Sequence, residues 1–331
     1  MSNFYLIILA SLIFFSIYLK KEFIAKKLGL VDVPDKKLKI HKKDTPVIGG
    51  IIFSVVTILI FVVYIFTNYT NNILFIKILF LSLTCCVIGI IDDVYKIKAN
   101  TKFFVTTLIL LVFVFIFPEL RIKHITFVDN LFIKNLNLDN KILSSIIVTI
   151  LCYQLLIHAF NMTDGHDGIA SLMAITWLVY IYFTKNNFQF LIPFITVLLL
   201  FIYFNLKSKI FLGDSGNYFL STLLGSLIIL NNNTYKNFLA EEIFILLMLP
   251  GIDMLRIFFL RIKHNQNPLI GDRKHLHHLL FNKLNKRNTT LIYFLFFISP
   301  IFFLYFKILS EHFIILLFLV IYIFIISKLK K

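Results

Sequence analysis

Charge is scarce in this chain: 15% of its 331 residues are Asp, Glu, Lys or Arg, and 17 of these are acidic. With 59% hydrophobic residues and a mean hydropathy of +0.88, it carries more apolar side chain than a water-soluble core of this length could hide. The solvent for most of it is therefore a bilayer. Cysteine is nearly absent: Cys85, Cys86 and Cys152 all fall inside apolar runs, which excludes a disulfide framework and a zinc site and leaves them as packing residues. The first apolar run lacks a basic leader and a small-residue cleavage site, so it reads as a retained span. No internal repeat is visible, which removes the usual mark of an inverted-repeat transporter.

A membrane crossing needs about 20 mostly apolar residues. Eleven runs qualify, near 3–19, 47–67, 73–91, 103–118, 142–160, 169–184, 188–204, 211–230, 239–260, 289–306 and 312–327. The expected fold is an all-α polytopic integral membrane protein of about eleven transmembrane helices, ten being the alternative count, forming one domain over 1–331. The loops 20–46, 92–102, 205–210 and 261–288 and the C-terminus together carry 24 Lys and Arg, against 7 in the alternate set. By the positive-inside rule the first set is cytoplasmic, which puts the N-terminus outside and the C-terminus inside. The net charge of +16 then follows from topology and from attraction to anionic headgroups, and calls for no nucleic acid.

Five of the acids, Asp92, Asp93, Asp164, Asp167 and Asp214, stand at cytoplasmic ends of spans. Carboxylates at the edge of hydrocarbon are costly and mark ion or substrate sites. Magnesium takes hard oxygen ligands while Lys and Arg neutralise phosphate, so the pattern suits phosphate chemistry. In Gly89-Ile-Ile-Asp92-Asp93, followed by Lys96, Lys98 and Lys102, adjacent acids cannot share a helix face. One of the two is expected to face the reaction and the other to brace a helix end, unless the segment is only a solvated loop. Phe160-Asn161-Met-Thr-Asp164-Gly165-His166-Asp167-Gly168 joins two spans almost without a loop. Its glycines allow tight turns, Asn161 offers a metal an amide oxygen, and Asp167 could accept from a nucleobase or ribose or simply cap the next helix.

Phe211-Leu-Gly213-Asp214-Ser-Gly216-Asn217 places an acid at a helix start, where backbone N–H groups favour anions, or where the acid or serine is merely a cap. Arg273, His275, His277 and His278 offer phosphate contacts in the longest basic loop, with no Cys nearby to complete a zinc set. Gly49 and Gly50, after Pro46, suggest a shaped re-entry that lines the site. The loops 20–46, 92–102, 161–168, 205–210 and 261–288 are read together as the active-site face. The alternating residues 121–128, on the outer side, have the pattern of a short hairpin strand.

In this order, Asp-Asp, Asn-x-x-Asp-x-x-Asp-Gly, Phe-x-Gly-Asp-x-Gly and His-x-His-His on cytoplasmic span ends resemble the polyprenyl-phosphate N-acetylhexosamine-1-phosphate transferase family, from about Pro34 to His278. The resemblance implies Mg²⁺, with Mn²⁺ as the alternate ion, held by Asn161 and Asp214. It implies Lys102 on the diphosphate, Asp167 on uracil, and Asp92 as the proposed catalytic carboxylate beside Asp93. Asp164 would brace the metal site, and Arg273, His275, His277 and His278 would close over diphosphate and sugar. The implied substrates are a UDP-N-acetylhexosamine and a polyprenyl phosphate, used at the inner (plasma) membrane in lipid-linked cell-wall or O-antigen polysaccharide synthesis; a homodimer is kept open. One branch, the phospho-MurNAc-pentapeptide translocases, carries three consecutive histidines. The form here, His275-Leu-His277-His278, is closer to UDP-GlcNAc-using members. His158 departs from the bacterial pattern, which has Asn there.

The expected chemistry is direct attack of the lipid phosphate on the β-phosphorus, expelling UMP, with a covalent aspartyl-phosphate route as the alternative. The rival classes are a transporter or flippase for an anion and a non-catalytic scaffold.

Overall fold

The computed structural model describes residues 3–34, 43–66, 72–128, 135–165, 168–184, 190–236, 238–267 and 273–329. Among them are thirteen α-helices. Eleven of these follow the apolar runs: α1 (Asn3–Leu19), α3 (Gly49–Phe66), α4 (Asn72–Tyr95), α5 (Ala99–Ile116), α6 (Ile142–Thr163), α7 (Ile169–Thr184), α8 (Leu191–Asn205), α9 (Gly213–Tyr235), α10 (Ala240–Lys263), α12 (Lys286–Tyr305) and α13 (Glu311–Leu329). Six of them, α4, α5, α6, α10, α12 and α13, are long and apolar enough to cross a bilayer unaided. The chain is thus a mostly helical, multi-pass membrane protein.

The other two helices lie where the sequence reads as loop. Helix α2 (Lys21–Leu28) is bent 65° from α1, and α11 (Leu276–Lys283) carries the histidines. Both are short helices of eight residues and mixed polarity, too brief to show as apolar runs. A 3₁₀ turn (Pro118–Leu120) and two small antiparallel pairs complete the inventory of described elements. Strand β1 (Val31–Asp32) pairs with β2 (Thr45–Pro46), and β3 (His124–Thr126) pairs with β4 (Asn135–Asn137) with Ile125 opposite Leu136. The second pair is the hairpin that the alternation at 121–128 suggests.

Helix α9 is the axis of the bundle. Every residue from Ser215 to Asn232 is buried, against α3, α4, α6 and α7. That burial explains its composition: Gly216, Ser221, Thr222, Gly225 and Ser226 are small, which lets neighbouring backbones close in. The hydroxyls of Ser221, Thr222 and Ser226 are satisfied within the helix or across it. Ser221 and Thr222 donate to the carbonyls of Asn217 and Tyr218 at 2.7 and 2.6 Å, and Ser226 meets the Tyr153 hydroxyl of α6 at 2.8 Å. At its far end Asn233 donates to the carbonyls of Glu119 and Arg121 at 3.1 and 2.6 Å, and Asn232 to that of His124 at 2.7 Å. The hairpin is thereby tied to the end of α9 opposite Asp214.

Helix α10 contains Pro250, which has no N–H to give the Leu246 carbonyl one turn back. The indole of Trp177, the chain's one tryptophan, donates to that carbonyl at 2.9 Å. The same ring packs on Phe160 of α6 and Phe297 of α12, with centroids 5.7 and 5.8 Å away.

Candidate active site

Four helix ends meet at the start of α9. Asp92 and Asp93 close α4, Lys102 opens α5, Asn161 and Asp164 close α6, and Asp214 opens α9. The approach of α4 to α9 depends on Gly89, where a Cβ would fall on the backbone of Ser215 and Asp214. The two adjacent acids divide as helix geometry requires. Asp93 accepts from the backbone N–H groups of Asp214 and Ser215 at 2.9 and 3.1 Å, so it caps α9 from a different helix. Asp92 is 1% exposed, accepts from the N–H of Ile97 at 2.8 Å, and is ion-paired with Lys102.

The Lys102 ammonium also donates to Asp214 Oδ2 at 3.0 Å, so one cation bridges two carboxylates from helices far apart in sequence. Beside this triad, the Asn217 amide donates to Asn161 Oδ1 at 3.1 Å and to Asp164 Oδ2 at 2.9 Å. Asn217 lies one turn past Asp214 on the same helix face. Asn161, Asp164 and Asp214 are therefore neighbours through it. Its own Oδ1 is buried without a hydrogen-bond partner. This residue closes the Phe211–Asn217 motif, and its three-residue spacing from Asp214 is the sequence signal that places it at the site.

Gly49 and Gly50 are buried and pack on the α9 start, where a Cβ would meet Leu212 and Ser215; the place they take is one of close packing. His158, three residues before Asn161, stacks on Phe103 with centroids 5.6 Å apart, and its Nε2 is buried without a partner. Asp167 lies outside the described residues, as do 35–41 of the first basic loop. His275 and His277 are buried, His278 is half-buried and Arg273 is exposed. A Cβ on Gly165 would lie 2.5 Å from His277 Nε2 and 2.9 Å from His278 Cε1. The histidine segment thus rests on the turn that follows Asn161 and Asp164.

Among the described residues no three His, Cys, Asp or Glu side chains form a closed metal cluster. What gathers instead is hard oxygen: the carboxylates of Asp92, Asp164 and Asp214 and the amide oxygens of Asn161 and Asn217. An unpartnered buried amide oxygen one turn from a carboxylate fits a hard divalent cation that shares its shell with substrate oxygens and water. Together with Lys102 this makes an anion- and cation-handling centre at one end of a membrane bundle, the equipment of a phosphoryl-transfer enzyme.

Residues 75–232 match the family described as glycosyl transferase family 4, and that stretch holds every site residue above except Gly49, Gly50 and the Arg273–His278 segment. Undecaprenyl-phosphate alpha-N-acetylglucosaminyl 1-phosphate transferase of Escherichia coli K12 is 27% identical over 277 residues, 78% of this chain and 70% of that protein. A probable undecaprenyl-phosphate N-acetylglucosaminyl 1-phosphate transferase of Bacillus subtilis is 26% identical over 291 residues, 84% and 77%. Phospho-N-acetylmuramoyl-pentapeptide-transferase of Prochlorococcus marinus subsp. pastoris is 27% identical over 247 residues, 68% and 66%. The resemblance carried by the motifs is the one these matches return, and residues 75–232 are similar to glycosyl transferase family 4.

Proposed function

We propose that this enzyme transfers a GlcNAc-1-phosphate-type group from a UDP-sugar to undecaprenyl or another polyprenyl phosphate, releasing UMP, as the first membrane step of a lipid-linked cell-envelope glycan. The observation that carries the reading is Lys102 bridging Asp92 and Asp214 beside the Asn161–Asn217–Asp164 cluster. Eleven helices cross the inner membrane, with the N-terminus outside and the C-terminus and the site cytoplasmic. The charge asymmetry of the loops supports this, as does the hairpin's attachment to the opposite end of α9.

In the reaction, an oxygen of the lipid phosphate forms a bond to the β-phosphorus, and the bond from that phosphorus to the UMP oxygen breaks, its electron pair leaving with UMP. Two anions must approach, so neutralising charge dominates the barrier. Lys102 supplies a fixed cation between the carboxylates, and Arg273 a bidentate fork from the loop. A phosphate monoester has its second pKa near ~6, so Asp92 orients more than it deprotonates. Mg²⁺ held by Asp214 and Asn161 would add Lewis-acid stabilisation of the diphosphate oxygens. Asp167 is assigned to the uracil.

An apolar cavity of about 370 Å³ supports the lipid acceptor. It is lined by Leu155 and Ala159 of α6, Ile228 of α9 and Leu247 and Leu255 of α10, and Ala159 stands two residues before Asn161. The cavity also reaches Ile125 of the hairpin and Asn232 at the far end of α9, so a prenyl chain lying in it would point its phosphate end toward Ala159. Relatives with each type of donor match at similar identity, so the donor is settled by assay. Purified protein with Mg²⁺, undecaprenyl phosphate and a panel of UDP-GlcNAc, UDP-GalNAc and UDP-MurNAc-pentapeptide should release UMP fastest with UDP-GlcNAc. A carrier or scaffold would release none, and a burst of UMP without lipid would favour the aspartyl-phosphate route.

A further inference from the structure

Asp253 sits in the middle of α10, 2% exposed, in a run whose one other charge, from Ile243 to Leu260, is Arg256. An acid buried at such depth is costly unless every lone pair is used. Here they are. Oδ2 meets His275 Nδ1 at 2.9 Å, and the Leu276 N–H donates to both oxygens at 3.0 and 3.2 Å. Oδ1 also accepts from the Tyr322 hydroxyl of α13 at 2.7 Å and from Arg256 at 2.8 Å. Arg256 in turn donates to the Tyr322 oxygen and to the Lys274 carbonyl, both at 2.7 Å.

Two consequences follow for the histidine segment. Leu276 is the first residue of α11, so Asp253 caps that helix from α10 and decides where it begins. His277 and His278, in its first turn, are thereby aimed at Gly165. Second, a carboxylate ringed by donors accepts only, so His275 keeps a proton on Nδ1 and its ring is turned with Nε2 away from Asp253. The rings of His275 and His277 lie parallel, 5.9 Å apart.

We infer that Asp253 is a positioning residue of the transfer reaction: it sets the ring of His275 and the start of α11, and so the pose of the histidines over the donor. Tyr322 and Arg256 hold it in place, making α13 part of the catalytic apparatus without touching substrate. The inference rests on the reading that these histidines meet the donor's diphosphate or sugar.

The test is a double-mutant cycle on the full chain in detergent with undecaprenyl phosphate and UDP-GlcNAc, following UMP release. Asp253→Asn, which keeps the volume and one acceptor, should lower kcat/KM by about 10–100-fold, the range found when a carboxylate orienting a functional histidine is lost. His275→Ala should lose a comparable factor, and the double variant should be little worse than either alone. A merely structural Asp253 would instead give losses that multiply, and that result overturns the inference, as does wild-type kinetics for Asp253→Asn. Loss in Asp253→Asn with wild-type kinetics in His275→Ala overturns it too, and shows that the reading of the histidines failed first. If Asp253→Asn does not fold, Tyr322→Phe replaces it in the same cycle, with a smaller loss expected and the same shared dependence on His275.

Discussion

Replacing Asp93 by Ala and Asp92 by Asn should separate bracing from chemistry in two side chains that are neighbours in sequence. Asp93 receives two backbone N–H bonds at the first turn of α9. Hydrogen bonds to a charged group are worth about 1.5–3 kcal/mol each. Asp93 and Asp214 are half-buried, so the lower end applies, and with the loss of a favourable helix-terminus charge the total is about 3–4 kcal/mol. Asp92→Asn keeps an acceptor for Ile97 and leaves Lys102 its bond to Asp214, so its cost is about 1 kcal/mol. The kinetic order is the reverse. Asp92→Asn should melt near wild type and lose about 100-fold in turnover, the cost of a misplaced reacting group. Asp93→Ala should melt about 6–8 °C lower, taking about 2 °C per kcal/mol for a chain of this size. The buried thiols of Cys85 and Cys86 give the assay, since a thiol-reactive dye reaches them only on unfolding, above the steady signal of exposed Cys152. If Asp93→Ala melts with the wild type, or if Asp92→Asn is the less stable of the two, the division of roles is wrong.

Other expectations can be checked in the same preparation. Asn217→Ala removes the amide shared by Asn161 and Asp164, and should cut UMP release about 10–100-fold while raising the Mg²⁺ concentration needed for half-maximal rate. Trp177→Phe leaves the Leu246 carbonyl without a donor and should cost about 1–3 kcal/mol in a thermal melt. In the wild type, emission from that one tryptophan, packed on Phe160 next to Asn161, should change when UDP and Mg²⁺ are added together. Gly89→Ala would drive a methyl into the α9 backbone and should lower stability by at least about 1–3 kcal/mol. EDTA should abolish UMP release, and added Mg²⁺ should restore it.

Much of this architecture was legible before any coordinates. Apolar runs of span length became helices because a chain in lipid must satisfy its backbone internally, and the helix is the local way to do so. The polar motifs stood out for the same reason, as exceptions at the ends of those runs. What escaped was set by contact rather than composition. Asn217 differs from other helix amides only in facing Asn161 and Asp164 across 3.1 and 2.9 Å. Asp253 could have been found as a lone acid within an apolar run. Arg256, one turn on, follows from helical spacing, but His275, Leu276 and Tyr322 come from 22 to 69 residues further along, and nothing in the sequence names them. Helices α2 and α11 were hidden because their anchors are likewise tertiary.

The polarity of α9 has a consequence for biogenesis. A helix with this many serines, threonines and asparagines does not partition sideways into lipid unaided. The helices that enclose it, α3, α4, α6 and α7, are all synthesised first. Its insertion is therefore a docking event, in which a waiting vestibule of earlier helices accepts a segment the bilayer would reject. The carboxylate pair bridged by Lys102 is completed at that moment, because Asp214 arrives with α9 and finds Asp93 and Lys102 already in place.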